Sequence, residues 1–282
     1  MAFIARDGWI LNELWMVMKQ AFPFEHLPDG KYILGSRRAL AVAAIRDKKD
    51  LENALQKTPD SMDYCKMLSS RFGIDGTNVN KNEDKRDCVL NREGEILRNA
   101  GRERDLYNRY IDRNIGTRRK IAVIDAISSG TIGKYFYEIT QREGVLLSIV
   151  LSRVPNYSVY DEIESYAYMG EDSKYAPTKA VHKYVGELEG VLTAYEPMFI
   201  CFDKSRKEQY AQSEPNEKGQ KLLKKIHAGI FEYAREIFAI SPDLEVLEFT
   251  PELCDAFFSL YYQLKCCFVE NIKEDLKASD DF

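Results

Sequence analysis

The spacing of apolar residues changes character along the start of the chain. Residues 3–5 and 31–34 are short runs dominated by apolar side chains, a pattern typical of buried strands. Residues 11–22 repeat apolar side chains every three or four positions, which predicts a helix with one apolar face. The apolar stretch 39–45 predicts a buried helix. Each of the two predicted strands is therefore followed by a helix.

The same order returns in the middle of the chain. Residues 121–124 form the clearest buried strand and are followed by Asp125 and a run of small residues. Apolar residues then recur at helical spacing from 132 to 139, and residues 145–151 form another apolar run. This order is a βαβ unit, which indicates a parallel sheet covered by helices. The other predicted elements are a mainly helical region at 48–115 with a loop at 73–84, a strand at 198–202, and helices at 226–237 and 253–268, the last capped by Thr250 with Pro251 as its first residue.

These elements divide the chain into three regions. Residues 1–47 and 118–205 form the α/β core, residues 48–117 form a helical insertion, and residues 206–282 form a C-terminal helical region. The fold class we expect is α/β, with a parallel-sheet core, a helical insertion and C-terminal helices.

Composition and charge narrow the class of protein. The 282 residues are 45 % hydrophobic and include 17 Tyr and 14 Phe, which is enough to bury a core and excludes a disordered chain. The 6 Cys are too sparse in this length for a disulfide framework, and the lack of a CxxC pair disfavours a zinc site. The net charge of −5 argues against a nucleic-acid partner. We expect a cytoplasmic protein with no membrane span, because no apolar run is long enough to cross a bilayer and because Arg6 and Asp7 interrupt the first apolar run.

Three predicted strands end in residues that suit an anion. They are followed by Arg6-Asp7-Gly8, by Gly35-Ser36-Arg37-Arg38, and by the stretch from Asp125 to Thr131. Ligands of parallel α/β sheets bind at the carboxyl ends of the strands. A helix that begins there presents backbone N–H groups, and the positive end of its dipole, to phosphate. The three loops together predict a phosphate site.

The third loop carries the strongest of these signals. The hydroxyls of Ser128, Ser129 and Thr131 can donate to phosphate, and Gly130 lets the backbone approach closely. The alternative for this loop is an ordinary strand-to-helix turn with a Ser or Thr cap. The alternative for Arg37 or Arg38 is a solvated side chain or a structural ion pair. The GxxxxGK[ST], GxGxxG and GxSxG motifs do not occur at the expected places, which excludes the phosphate and nucleophile loops that they define.

The segment from Ile121 to Thr131 resembles the ribose-5-phosphate loop of type I phosphoribosyltransferases. In that family an apolar strand and two acids precede a Thr/Ser-Gly-rich turn. The turn holds the 5-phosphate of phosphoribosyl pyrophosphate, and the acids hold the ribose hydroxyls. Asp125 matches the first acid, Ala126 stands where the second acid would be, and Ser128 to Thr131 match the turn. The resemblance implies a phosphoribosyltransferase-like core, in which Arg6-Asp7-Gly8 corresponds to the pyrophosphate loop.

A second resemblance spans most of the chain. Four segments are similar to a bacterial module that follows a haloacid dehalogenase-like hydrolase domain in proteins of surface-polysaccharide gene clusters. The segments are residues 3–9, residues 32–40, Asp125 to Thr131, and Leu188-Glu189 with Ala194 and Pro197. The third motif of that family often reads Asp-x-Gly-aromatic-x-Gly-Thr, whereas this chain has Ile127 and Ser128 in place of the Gly and the aromatic. The Asp-x-Asp nucleophile motif of the hydrolase is absent, so no aspartyl-phosphate chemistry is expected. The sequence fits a C-terminal module split from an upstream hydrolase domain and a stand-alone protein equally well.

Two functions follow from these resemblances, beside a scaffold without a ligand. The first is a cytosolic module that binds a phosphorylated sugar or nucleotide in bacterial surface-glycan (capsule or O-antigen) biosynthesis, as an accessory to a hydrolase or glycosyltransferase. The alternative is a phosphoribosyltransferase-like or sugar-phosphate transferase enzyme, with Asp125 and Arg6 as its catalytic residues. No resident metal is predicted, and Mg²⁺ is expected only for a pyrophosphate substrate. The predicted ligand-binding residues are Asp7, Gly8, Ser36, Arg37, Arg38, Ser128, Ser129, Gly130 and Thr131.

Overall fold

The centre of the molecule is a six-stranded parallel sheet. The computed structural model describes residues 1–77, 79, 82–151, 164–170, 185–212, 216–244, 247 and 250–263. The sheet strands are β1 (Ala2–Ile4), β2 (Lys31–Ile33), β3 (Val123–Ile124), β4 (Ile127–Ser128), β5 (Val145–Leu151) and β6 (Glu164–Gly170). The sheet confirms the expected α/β class with a parallel core.

Helices occupy most of the connections between these strands. They are α1 (Gly8–Ala21), α2 (Arg37–Ala44), α3 (Lys48–Gln56), α4 (Tyr64–Lys66), which continues into a π-helix (Met67–Arg71), α5 (Lys85–Leu90), α6 (Glu93–Ile115), α7 (Thr131–Thr140), α8 (Val185–Leu192), α9 (Glu217–Ile240) and α10 (Pro251–Gln263). The predicted cap of α10 is present, since Thr250 Oγ1 accepts from the Leu253 N–H at 3.3 Å. Within the part of the chain that the structure describes, no helix has both the length and the apolarity needed to cross a bilayer.

β3 and β4 are two halves of one interrupted strand. Both pair with β5, and the pairs Val123–Leu146 and Ile127–Val150 keep one register. Between them, the N–H groups of two consecutive β5 residues both donate to the Ala126 carbonyl, each at 3.0 Å. The predicted strand at 121–124 is therefore shorter than expected, and pairing resumes inside the segment predicted to be a loop.

Helices cover both faces of the sheet. On one face, α2, α6 and α7 pack against the strands in a cluster that includes Ile4 and Leu146. On the other face, α1, α8 and α9 pack in a second cluster around Ile10 and Ala126. Because both faces are buried at the centre of the sheet, β1, β3 and β5 are mostly apolar runs rather than alternating ones.

The helices between α2 and β3 have a hydrophobic core of their own. The side chains of Leu51, Leu68, Phe72 and Ile96 are fully buried in it. Val42 joins this cluster from α2, the element that also packs on the sheet. α6 also contributes to both clusters, so the helical segment is attached to the sheet through α2 and α6.

A separate antiparallel hairpin accounts for the strand predicted at 198–202. It consists of β7 (Phe199–Phe202) and β8 (Glu208–Tyr210). Phe199 and Phe202 are buried against α6 and the sheet core. The predicted strand is present, but its partner is β8 and not a strand of the parallel sheet.

The strand order makes the parallel sheet doubly wound. From β1 the chain passes through α1 to β2 on one side, and it then returns across the opposite face to β3 on the other side of β1. The carboxyl ends of β1 and β3 therefore border the crevice where the winding reverses. Open α/β sheets bind ligands at this position.

Candidate functional site

Sheet pairing brings the three predicted loops to one edge of the sheet. Phe3 of β1 pairs with Ile124 of β3, so Asp125 follows directly beside the end of β1. On the other side, the Ala5 N–H donates to the Ile33 carbonyl at 2.9 Å, which holds the end of β2 against the same segment. The loops after β1, β2 and β3 consequently share the carboxyl edge.

The first loop, Arg6 to Gly8, is tight because α1 begins immediately after β1. A Cβ added at Gly8 would lie 2.7 Å from the carbonyl carbon of Phe3, so only glycine allows this approach of helix to strand. The Trp9 N–H donates to the Arg6 carbonyl at 3.1 Å, and the Ala5–Arg6 peptide is cis. Arg6 and Asp7 are partly exposed at the mouth of the crevice.

Aromatic packing fixes the start of α1 behind this loop. The Trp9 ring stacks on His227 of α9 with a centroid distance of 5.3 Å and meets Tyr195 edge-on at 5.0 Å. The His227 Nε2–H donates to the Val191 carbonyl at 2.8 Å, and Nδ1 accepts from the Tyr195 hydroxyl at 2.8 Å. Burial lowers the pKa of His227, so this imidazole is a neutral structural link between α1, α8 and α9.

In the second loop, the two adjacent arginines have different environments. Ser36 is buried and its hydroxyl accepts from the Ala39 N–H at 3.0 Å, so it caps α2. Arg38 is also buried, where its guanidinium forms an ion pair with Glu103 of α6 and donates to the Ile200 carbonyl at 3.2 Å. Arg37 is exposed. Of the ligand-binding residues predicted in the second loop, Arg37 is exposed to solvent. Ser36 and Arg38 instead make structural contacts within the protein.

The third loop is organised by one hydroxyl. Ser128 is 1 % exposed, and its Oγ donates to the Asp125 carboxylate and accepts from the Gly130 N–H at 2.9 Å. Next to it, the hydroxyls of Ser129 and Thr131 are 3.1 Å apart. Gly130 adopts φ 81°, a left-handed conformation that glycine takes without strain. The loop is therefore pre-formed around Asp125.

The amino terminus of α7 opens directly from this loop. Its N-cap residue is Gly130, which offers no side chain to cap the first N–H groups. These groups and the helix dipole create a partial positive charge, and the hydroxyls of Ser129 and Thr131 lie beside it. Donors of this kind suit a phosphate group.

Asp125 is the buried carboxyl of the site. Burial raises its pKa to about 6, against the opposing effects of the Ser128 hydrogen bond and of the positive charge of Arg37. The negative charge of Glu189 on α8 raises it further. Asp125 therefore keeps its proton to a higher pH than an exposed aspartate does, and Arg37 and Glu189 are among the charged residues that act on it.

Two charged residues near the site come from unexpected segments. Glu189 belongs to one of the segments that carry the bacterial resemblance, but its sequence position gives no sign that it approaches Asp125. Arg71, the last residue of the π-helix, has a pKa lowered by burial and by the nearby positive charge of Arg37. Only the folded chain reveals these neighbours, because each lies more than thirty residues away along the sequence.

The residues of the site favour phosphate over a metal ion held by the protein alone. Among the residues described, no group of three or more His, Cys, Asp and Glu side chains is placed to hold a metal. Mg²⁺ in phosphate sites commonly takes one or two carboxylates, and the rest of its oxygens come from the substrate and water. Asp125 fits such a carboxylate only when a ligand supplies the phosphate oxygens.

The comparisons with known proteins give no family. No protein-family model matches the chain, and no curated protein is a significant match to it. The argument for function therefore rests on the site itself.

Proposed function

We propose that this carboxyl edge binds the phosphate of a phosphorylated sugar or nucleotide. Such a ligand places its phosphate on the amino terminus of α7, within reach of Ser129 and Thr131, while Arg6 and Arg37 border it with positive charge. Asp125 is then positioned to accept from a hydroxyl of the ligand. The proposed core is phosphoribosyltransferase-like in this local sense.

The observation that carries this proposal is the joint position of three loops at the reversal of the winding. Sheet pairing places Asp125 beside the end of β1, and the backbone turn at Gly130 points the uncapped start of α7 to the same edge. A plain strand-to-helix turn requires neither the buried carboxyl nor a second loop with an exposed arginine. The combination is what a ligand site at a switch point contains.

The biological setting in this proposal rests on the sequence resemblance alone. It is that of a cytoplasmic module in bacterial surface-glycan biosynthesis, accessory to a haloacid dehalogenase-like hydrolase or a glycosyltransferase. The sugar and nucleotide phosphates of that setting have the chemistry that the site suits.

One observation favours the alternative of a transferase. A carboxyl with a pKa of about 6 is suited to accept or donate a proton at neutral pH, which a purely binding module does not need. In the transferase, Asp125 and Arg6 act on the reacting group, and Mg²⁺ joins only with a pyrophosphate substrate.

Titration of inorganic phosphate, followed by amide NMR, tests the binding proposal. The N–H signals of Ser129 to Thr131 are expected to shift on titration. Gly130→Val is expected to weaken phosphate binding by about tenfold or more, because a β-branched residue does not tolerate a positive φ and a blocked donor loses a charge-assisted hydrogen bond. Gly116→Val is the matched control, since Gly116 also has a positive φ, of 71°, but follows α6 at the opposite edge of the sheet. Phosphate binding that survives Gly130→Val would place the site elsewhere.

Turnover separates the two functions. Phosphoribosyl pyrophosphate and nucleotide sugars, each with Mg²⁺, are incubated with the protein, and phosphorus NMR detects released phosphate or pyrophosphate. Release that Asp125→Asn abolishes, with phosphate binding retained, identifies the transferase. Binding without release by the unaltered protein identifies the binding module.

A further inference from the structure

Helix α9 has two apolar stripes, and only one of them is fully packed. The first stripe lies against α1 and α8, where the Trp9 ring stacks on His227. At the carboxyl end of α9, the rings of Phe22 and Phe238 are 5.8 Å apart. The second stripe lies beside the first and has apolar residues at alternating spacings of four and three positions, namely Ile226, Ile230, Tyr233, Ile237 and Ile240.

The second stripe exposes large apolar side chains to solvent. Tyr233 is 60 % exposed and Ile240 is 78 % exposed, on a helix whose other side is already packed. At the same end of α9, Phe24 follows Phe22 by two residues and is 94 % exposed. Single exposed apolar residues are ordinary, whereas a series of them along one side of a helix is typical of a contact surface for another chain.

Charged residues border the second stripe along its outer side. Lys225 comes just before Ile226 in the sequence, and Glu232 comes just before Tyr233. Seven residues, or about two helical turns, separate Lys225 from Glu232, so both lie on the same side of α9. Both are exposed, and neither forms an ion pair with another residue that the structure describes. With Glu236 one turn further on, this border is basic towards the amino end and acidic towards the carboxyl end.

A border with this polarity is complementary to its own reversed copy. When the α9 of a second copy lies antiparallel, centred midway between Lys225 and Glu232, Lys225 of each copy is opposite Glu232 of the other. The same alignment places Ile226 beside Tyr233 of the other copy. Two-fold symmetry repeats each contact, so both charge pairs form together. A parallel alignment places like charges opposite each other, which is unfavourable.

We propose that the protein forms a two-fold symmetric dimer through antiparallel contact between α9 and the α9 of a second copy. The second stripe forms the apolar centre of this interface, and the two Lys225–Glu232 pairs form its polar border. The inference is independent of the ligand proposed for the sheet edge. The first stripe of the same helix carries His227, which stacks on Trp9 at the start of α1. The dimer therefore holds the helix that supports the first loop of the candidate site.

Sedimentation velocity of the full chain over a range of concentrations tests the dimer. The unaltered protein is expected to sediment as a dimer and to dissociate on dilution. Ile240→Asp is expected to weaken dimerisation by about tenfold or more, because it places a charge in each half of an apolar contact. The matched control is Leu260→Asp, which changes an exposed leucine of α10 and should leave dimerisation unaltered. A protein that stays monomeric at about 100 μM, where a contact of micromolar affinity is filled, overturns the proposal.

Exchange of the border charges tests the antiparallel alignment. Lys225→Glu and Glu232→Lys are each expected to weaken dimerisation by about fivefold or more, because each variant places like charges opposite each other twice. The double variant Lys225→Glu/Glu232→Lys restores opposite signs and should dimerise within about twofold of the unaltered protein. A folding defect in a single variant does not produce this recovery. Single reversals without effect, or a double variant as weak as the single ones, contradict the antiparallel contact of α9.

Discussion

Single residues of the site divide into those that contact the crevice and those that support it. Arg37 and Arg38 are neighbours in sequence, yet one is exposed and the other is buried in an ion pair with Glu103. The sequence suggested that one of them could be structural but could not say which. The predicted helix began at residue 39, so the orientation of the preceding turn could not be assigned.

Asp125 should control the pH dependence of stability more than an exposed carboxyl does. Its pKa is raised from 3.8 to about 6 in the folded protein. The folded state therefore binds the proton more tightly, and the free energy of unfolding falls as pH rises from about 4 to about 6. Above that range the penalty stays constant at about 3 kcal/mol, an order-of-magnitude value.

Asp125→Asn removes this titration. Between pH 3.5 and pH 7.5 the unaltered protein is expected to lose about 2–3 kcal/mol of unfolding free energy through this titration. The variant does not lose it, so the difference between the two proteins should change by that amount. Urea denaturation at the two pH values measures the difference. The control is Asp60→Asn, which changes an exposed acid in the insertion. Its free energy of unfolding should equal that of the unaltered protein at both pH values. A constant difference between Asp125→Asn and the unaltered protein would show that the carboxyl titrates normally.

At the scale of elements, the pattern of apolar residues predicted the buried strands but did not predict the strands that contain polar or exposed residues. β5 was predicted with its observed bounds, because strands pair with it on both sides and all of its residues except Ser148 are apolar. β6 was not predicted, because Glu164, Ser165 and the exposed Tyr166 interrupt the apolar pattern. Its pairing with β5 is a tertiary contact that the local sequence does not indicate. β8, with the sequence Glu-Gln-Tyr and every residue exposed, gave no strand signal for the same reason.

The candidate site shows the same division. The loop from Asp125 to Thr131 was recognisable because small, hydroxylated and acidic residues follow a strand within seven positions. Arg71 was not recognisable, since only the packing of the π-helix on α2 brings it near. Local chemistry could be predicted from the sequence, whereas convergence of distant charges could not.

The junction between β1 and α1 should tolerate no added side-chain atom. Gly8→Ala is expected to lower the free energy of unfolding by about 1–3 kcal/mol, the usual cost of overpacking, since the new methyl group meets the Phe3 backbone at 2.7 Å. Gly229→Ala in α9 is the matched control, because a Cβ there meets nothing within 4 Å and alanine favours a helix. Chemical denaturation of both variants checks the prediction. An equal or higher stability of Gly8→Ala would mean that α1 is free to shift.

For the whole molecule, the separate hydrophobic core of the insertion predicts two levels of stability. Amides of Leu68, Phe72 and Val89 lie in that core, and amides of Val123 and Leu146 lie in the sheet. We expect the first group to exchange together and faster than the second, because these residues pack in the insertion's own core, which can open without breaking the sheet. Native-state hydrogen exchange under mild denaturant measures this. A single opening free energy for both groups would show one cooperative unit.

The position of β1 in the sheet sets the order in which the protein can assemble during synthesis. β1 lies between β2, which ends at Ile33, and β3, which begins at Val123. A ribosome that adds about 5–20 residues per second makes β3 about 4–18 s after β2. Throughout this interval one edge of β1 has no neighbouring strand, and the loop that carries Asp125 has not yet been made. The crevice can thus form only after the π-helix that carries Arg71 has been synthesised.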